Sequence, residues 1–351
     1  GVGPVDLSNP ATYRKRRATK VASKVRTMAA GNTHSIYVDG TGELHFFGAN
    51  FLGQLGISPI ASRIFSDSTV NFDRVVALAC GADFTILLRS DGSVMGAGDN
   101  AHEQLGPIPG PPSTPVFTNF FNKVDRIAQV ANQSNSYVLK SDGTVWSFGH
   151  KDYLGDTSST HISTPRQIPT LSNIIAIGAT NKTGMALDVT GKIWAWGENT
   201  SGSCGQGVST SLFTSPVLIS SLFDIIYIDG TIQGNLLGSS ACAIDVNGDL
   251  YTWGINEDYI LGDGTDIKRL SPVRASITSK DFSVSMSEEN TFVLNADNTV
   301  EVWGHWTNDG STSSGIYNLL RGINTTSKII KRGGVRELVG VWQVINTLLT
   351  G

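Results

Sequence analysis

Asp142-Gly143-Thr144-Val145-Trp146-Ser147-Phe148-Gly149 is the stretch that decides the fold. It joins a tight-turn dipeptide to an alternating run that closes on an aromatic residue and a glycine. The closing element recurs along the chain as Phe46-Phe47-Gly48, Gly96-Ala97-Gly98, Ser147-Phe148-Gly149, Ala195-Trp196-Gly197, Thr252-Trp253-Gly254 and Val302-Trp303-Gly304. The final glycines are 50, 51, 48, 57 and 50 residues apart. Upstream of each is a two-residue turn: Thr41-Gly42, Asp91-Gly92, Asp142-Gly143, Thr190-Gly191, Asn247-Gly248 and Asp297-Asn298. Such dipeptides predict hairpins whose two central residues both take positive φ.

A second glycine follows the first five closing elements as Leu55-Gly56, Leu105-Gly106, Leu154-Gly155, Cys204-Gly205 and Leu261-Gly262. Four repeats then carry Pro115, Pro165, Pro216 or Pro272 ahead of a short apolar run such as Ile174-Ile175-Ala176-Ile177. Each unit therefore reads as four short strands in roughly 50 residues, the signature of a β-propeller blade. The 39 glycines in 351 residues, against a usual level of about 7 %, suit a chain of tight turns.

Residues 335–341 match the apolar spacing of residues 124–130, and the chain stops near the next hairpin turn. A half blade leaves unpaired strand edges. The expectation is an all-β fold: a seven-bladed β-propeller of four-stranded blades, with the last blade closed by strands from both termini. The alternative is a six-bladed ring with the terminal strands packed outside. The domain reading is a basic segment over 1–26 that contributes to closure, and a single propeller over 27–351.

Formal net charge is −4, unevenly placed. Residues 1–26 hold seven basic groups and one acid, and residues 321–351 hold five and one. The body keeps 14 basic and 28 acidic groups. Closure would gather Arg14, Lys15, Arg16, Arg17, Lys331 and Arg332 into one basic sector on an acidic ring. No window approaches the roughly 18–20 apolar residues of a membrane helix, so no span is expected. The first residues show no apolar signal core, and the compartment is left open.

Ala30-Gly31-Asn32-Thr33-His34-Ser35, Asp39-Gly40, Phe47-Gly48-Ala49-Asn50 and Gly53-Gln54-Leu55-Gly56 together resemble the repeat of the regulator of chromosome condensation family. Leu261-Gly262-Asp263-Gly264-Thr265 with Ser271-Pro272 is similar to the form common in bacterial and viral members. The resemblance covers about residues 25–351. It implies a seven-bladed propeller and binding through rim and face loops. Members include a chromatin-bound exchange factor for a small GTPase, ubiquitin-ligase substrate domains and a secreted β-lactamase inhibitor. Several positions depart from the repeat. Ala97 stands where other repeats carry Phe or Trp, Ala131-Asn132 and Met286-Ser287 replace the glycine-rich opening, and repeat six lacks the Gly-Gln-Leu-Gly element. The exchange factor's contacts are therefore not carried over.

Chemistry is sparse. No two of His34, His45, His102, His150, His161 and His305 sit at His-x-His or His-x-x-x-His spacing, so no metal site is expected. His34, in the repeat opening, reads as a structural hydrogen-bonding residue, and His150 and His305 as loop residues. Asp258, Asp263 and Asp266 lack the closing Glu of a calcium loop and read as a solvated turn. Neither a Gly-x-Ser-x-Gly elbow nor a Gly-Lys-Ser/Thr phosphate loop occurs. Cys80, Cys204 and Cys242 fit neither a disulfide framework nor a metal motif and read as buried small apolar residues. Neither catalysis nor a cofactor is expected.

Two features read as binding elements. One is the basic arm from Arg14 to Arg26, suited to an acidic protein or nucleic acid. The other is an insertion in the fifth repeat, whose strand-to-strand gap is 18 residues from Ile226 to Ile244 against 12 from Ile127 to Leu139. Asp229, Gly230, Ile232, Gln233, Asn235 and Leu236 are its candidate contact residues, since insertions map to loops on one face. The expected function is a non-catalytic protein-binding propeller, a docking or structural subunit of a larger assembly such as a virion or secreted surface. The alternatives are nucleotide exchange on a small GTPase, and a secreted inhibitor or binding propeller.

Overall fold

A computed structural model of the chain describes residues 25–304, together with 330–332 and 335–337. Within the first range, residues 32, 58–62, 109–112, 123, 125, 128–134, 232–238, 278–280, 287–289 and 296–298 are not described. The first sheet comprises β1 (Thr27–Ala30), β2 (His34–Val38), β3 (Glu43–Ala49) and β4 (Arg63–Asn71). The second comprises β5 (Val75–Cys80), β6 (Phe84–Arg89), β7 (Val94–Asp99) and β8 (Ser113–Phe121). β9 (Arg126–Ile127), β10 (Asn135–Leu139), β11 (Val145–Gly149) and β12 (Ile162–Gln167) make the third. β13 (Ile174–Ala179), β14 (Thr183–Asp188), β15 (Ile193–Glu198) and β16 (Leu212–Leu218) make the fourth. The fifth holds β17 (Ile225–Gly230), β18 (Ser240–Asp245), β19 (Leu250–Gly254) and β20 (Arg269–Arg274). β21 (Asp281–Met286), β22 (Asn290–Asn295) and β23 (Val300–Gly304) form a three-stranded sheet. In every one of these sheets the strands lie in chain order and pair antiparallel. β24 (Ile330–Arg332) and β25 (Val335–Glu337) pair with each other. The all-β propeller blades are thus present; the expected closure of a seventh blade by both termini falls on residues 1–24 and 338–351, which lie outside the described residues.

The alternation predicted from sequence places apolar side chains between consecutive sheets. Ile36, Val38, Leu44 and Phe46 of the first sheet pack against Val75, Leu78 and Leu87 of the second. Leu187, Ile193 and Ala195 of the fourth meet Ile225, Ala243 and Trp253 of the fifth. Cys80, Cys204 and Cys242 are buried, and burial pushes the thiols of Cys80 and Cys204 up to about 12.

The hairpin turns differ from the expected two-residue type. In the second sheet Arg89 N–H donates to Ser93 O, and Gly92 N–H donates back to Arg89 O. The same pair of bonds recurs around Gly42, Gly143, Gly191 and Gly248. Only the glycine has positive φ, between 76° and 95° at these five sites; the residue before it does not. This is a three-residue loop ending in a left-handed glycine. The dipeptide signal located the turns correctly, but Asp and Asn act through their side chains. Asp91 Oδ1 accepts from Ser93 N–H, and Asp142 Oδ1 from Thr144 N–H.

The glycine closing the third strand has a different reason. Gly48, Gly98, Gly197 and Gly254 have φ of 108°, 112°, 105° and 104°. A Cβ on them would collide with the carbonyl oxygens of Thr33, Asp83, Lys182 and Ser239. Those carbonyls accept the N–H of the next residue: Ala49 at 2.8 Å, Asp99 at 2.9 Å, Glu198 at 3.0 Å and Ile255 at 3.1 Å. Only a residue without a side chain lets the third strand press this close to the start of the second.

Blades are joined from aromatic to preceding loop. Trp196 Nε1 donates to Tyr153 O, Trp253 Nε1 to Ser203 O and Trp303 Nε1 to Ile260 O, at 3.1, 2.8 and 2.9 Å. Their rings lie over Gly155, Gly205 and Gly262, the second glycine of each preceding repeat. Ala97 cannot do this, and Phe117 on the neighbouring β8 lies over Gly56 instead. Hydroxyls on the second strand add a parallel set. Thr85 donates to Gln54 O, Ser136 to Gln104 O and Thr291 to Ile260 O.

His34 belongs to this seam, as its repeat position implied. Thr85 Oγ1 gives its proton to Gln54 O, so His34 Nε2–H donates to Thr85 Oγ1, 3.0 Å away. Burial pushes the His34 pKa down to about 4.

Two outcomes follow for stability. Gly197→Ala should cost about 2 kcal/mol or more, as left-handed strain adds to a backbone collision. Gly264→Ala, with φ of 81° and nothing near its Cβ, should cost only the strain; equal shifts of the two urea midpoints would refute the collision account. For His34 the unfolded chain, titrating near 6.5, binds a proton that the fold resists down to about 4. Stability should therefore be whole above pH 6.5 and fall toward pH 4. His34→Gln should be less stable at pH 7 and lose less on moving to pH 5, read as urea midpoints at both.

Candidate functional site

Strand alternation sorts the connections into two ends. Turns between first and second strands, and loops between third and fourth, fall at one end of every blade. Hairpin turns between second and third strands, and connections to the next blade, fall at the other.

At the loop end, the polar residues of the repeat hold their own backbone. Asn50, Asn100, Asn199 and Asn256 each offer Oδ1 to the N–H five residues on, at Leu55, Leu105, Cys204 and Leu261. Asp263 caps Thr265 and binds Arg269 Nε at 2.6 Å, which makes its loop a capped turn.

The third repeat replaces the Asn with a 3-10 turn, Lys151–Tyr153, and gathers three histidines there. His102 lies in the loop after β7, His150 directly follows β11, and His161 leads into β12. One nitrogen from each ring lies within 4.8 Å of one from each of the others. Ring centroids are 5.3 Å apart for His102 and His150, 5.6 Å for His102 and His161, and 4.6 Å for His150 and His161. His150 Nδ1 accepts Asp152 N–H and His161 Nδ1 accepts Lys151 N–H, both at 3.3 Å. The His150 ring stacks on Tyr153 with centroids 5.1 Å apart. Burial, then the adjacent His161, holds the His150 pKa below its usual value, against the opposing pull of Asp152. The arrangement gathers three imidazoles from two blades into one small region. Linear spacing hid it, since His102, His150 and His161 come from two blades. The in-register position of the two loops after Gly98 and Gly149 was the available signal.

The sequence-derived contact residues divide. Asp229 and Gly230 end β17, where Asp229 Oδ1 accepts Gly230 N–H at 2.8 Å and Oδ2 accepts Tyr227 O–H at 3.2 Å. Burial of the carboxyl pushes Asp229 up to about 6. Asp229 therefore serves the strand end, and Ile232, Gln233, Asn235 and Leu236 lie outside the described residues. β17 ends at Gly230 and β18 starts at Ser240 at the same end of the blades as the histidines. Arg14, Lys15, Arg16 and Arg17 also lie outside the described residues; Lys331 and Arg332 are described as β24 backbone only.

At the opposite end, sequence reading missed an apolar group. Val189, Phe223 and Val246 are 63 %, 72 % and 60 % exposed. Val246 N–H donates to Asp224 O, beside Phe223. Ile225 N–H donates to Gly191 O, which brings the Val189 turn to the same connection.

Comparison with known proteins agrees with this architecture. The regulator of chromosome condensation (RCC1) repeat matches residues 75–104 and 247–294. The E3 ubiquitin-protein ligase HERC2 of Homo sapiens is 26 % identical over 233 residues, covering 63 % of this chain and 5 % of the ligase. The RCC1-like G exchanging factor-like protein of Mus musculus is 26 % identical over 290 residues, covering 78 % of this chain and 62 % of that protein. The chain thus spans under two thirds of the length of these relatives. Among solved structures, human WBSCR16 superposes with a TM-score of 0.69 at 16 % identity, covering 81 % of this chain and 78 % of that one. Prp20p from Saccharomyces cerevisiae, described with its binding to Gsp1p and histones, gives 0.67 at 18 %, covering 80 % and 72 %. Among the described residues, no helix is long and apolar enough to cross a membrane.

Proposed function

We propose that this chain, which carries regulator of chromosome condensation repeats, is a non-catalytic propeller that binds other proteins through the two ends of its blades. The observation that carries the reading is the exposed group of Val189, Phe223 and Val246 across the fourth and fifth blades. Exposed apolar side chains carried on neighbouring connections suit a contact surface. The Asn and hydroxyl side chains of the repeat fit it, because the Asn side chains brace their own loops and the hydroxyls join neighbouring blades. The insertion at 232–238 supplies a second contact at the loop end. The basic residues Arg14 to Arg17, with Lys331 and Arg332, suit an acidic surface.

A nucleotide-exchange role on a small GTPase is the second reading. It is favoured by the relative named as an exchanging factor and by Prp20p with its Gsp1p binding. We infer further that residues 335–351 and the N-terminal segment build a seventh blade.

Crosslinked affinity capture from the native source, with and without Phe223→Ser and Val246→Ser, tests the binding site. The pair should lose a partner that the parent holds; unchanged capture would remove this surface from the proposal. A GTPase among the partners, with GDP release accelerated by the chain, would establish the exchange reading. Removing 335–351 should lower the melting temperature by several degrees. A truncated chain that melts like the parent would refute the shared blade.

A further inference from the structure

We propose that His102, His150 and His161 form a binding site for a divalent transition cation of the zinc class, shared between the second and third blades. The donor set is three imidazoles, which suit zinc, copper and nickel and not calcium or magnesium. Three histidines and one open position is also a known zinc arrangement.

The local structure prepares the site. His150 is fixed from below by Tyr153 and by its place directly after Gly149, where the third strand ends. His102 is carried on a loop whose Gln104 Oε1 accepts His102 N–H at 2.9 Å and whose Asn100 holds Leu105. His161 is the exposed member and has the most freedom to turn. Tetrahedral zinc with bonds of about 2.0–2.1 Å needs nitrogens roughly 3.4 Å apart. The present limit of 4.8 Å is wider than that, so binding calls for side-chain rotation, chiefly of the exposed His161.

Each ligating imidazole must offer a lone pair to the cation. The amide contacts to Nδ1 of His150 and His161, at 3.3 Å, are longer than the usual 2.9–3.0 Å or so. A cation that takes those lone pairs gives up little in exchange. The Asp152 carboxylate, 3.7 Å from His150 Nδ1, adds negative charge at the edge. A bound ion would tie the loop of one blade to that of the next.

Tag-free full-length protein titrated with Zn²⁺, and with Co²⁺ followed by its visible absorption, tests the site. The expected result is one ion per chain, a tetrahedral cobalt spectrum, and a higher melting temperature with Zn²⁺ but not with Ca²⁺ or Mg²⁺. His161→Ala, at an exposed position, should fold normally and bind at least tenfold more weakly. His102→Ala should do the same from the other blade. Absence of stoichiometric binding at micromolar Zn²⁺ would overturn the proposal. So would binding that both variants retain, which would place the ion on other side chains.

Discussion

The structure depends on one close approach, repeated blade after blade: the end of the third strand against the start of the second. Gly48, Gly98, Gly197 and Gly254 sit at that point with φ above 100° and no room for a Cβ. The approach lets the following N–H reach the carbonyl before the second strand, and it turns the chain out of the sheet into the loop. That direction brings Asn50 and its counterparts to where they hold the loop, and the loop to where the next blade grips it. Each later feature inherits its position from this contact.

Grip between blades has a simple chemistry. A loop carbonyl faces an indole or hydroxyl from the next blade, while the indole covers a glycine. Both halves are needed, since a side chain at Gly155 or Gly262 would occupy the ring's space. The second repeat shows the tolerance of the scheme. Ala97 leaves the space unfilled from the third strand, and Phe117 fills it from the fourth. The apolar requirement at the seam persists although the residue that meets it has moved.

Much of the fold was legible because glycine at positive φ and alternating apolar residues are local demands. The six closing glycines placed the third strands, and the dipeptides located the turns. Turn type was not legible: Asp91-Gly92 is compatible with two geometries, and pairing of Arg89 with Ser93 decides between them. His34 could be assigned a structural role from its repeat position, although its partner Thr85 is 51 residues away. The histidine cluster was not legible, since it depends on two loops meeting across a blade boundary. Asp229 reads as a loop residue in sequence, yet the structure uses it to finish β17.

The seam also sets what a unit of inheritance can be in this molecule. Trp253 answers to Gly205 and Trp196 to Gly155, so each matched pair straddles two sheets. Cutting at sheet boundaries would separate every indole from its glycine. A segment that keeps each of these indoles with its glycine runs from one loop glycine through the next blade's tryptophan, offset from the visible blade by about half a repeat.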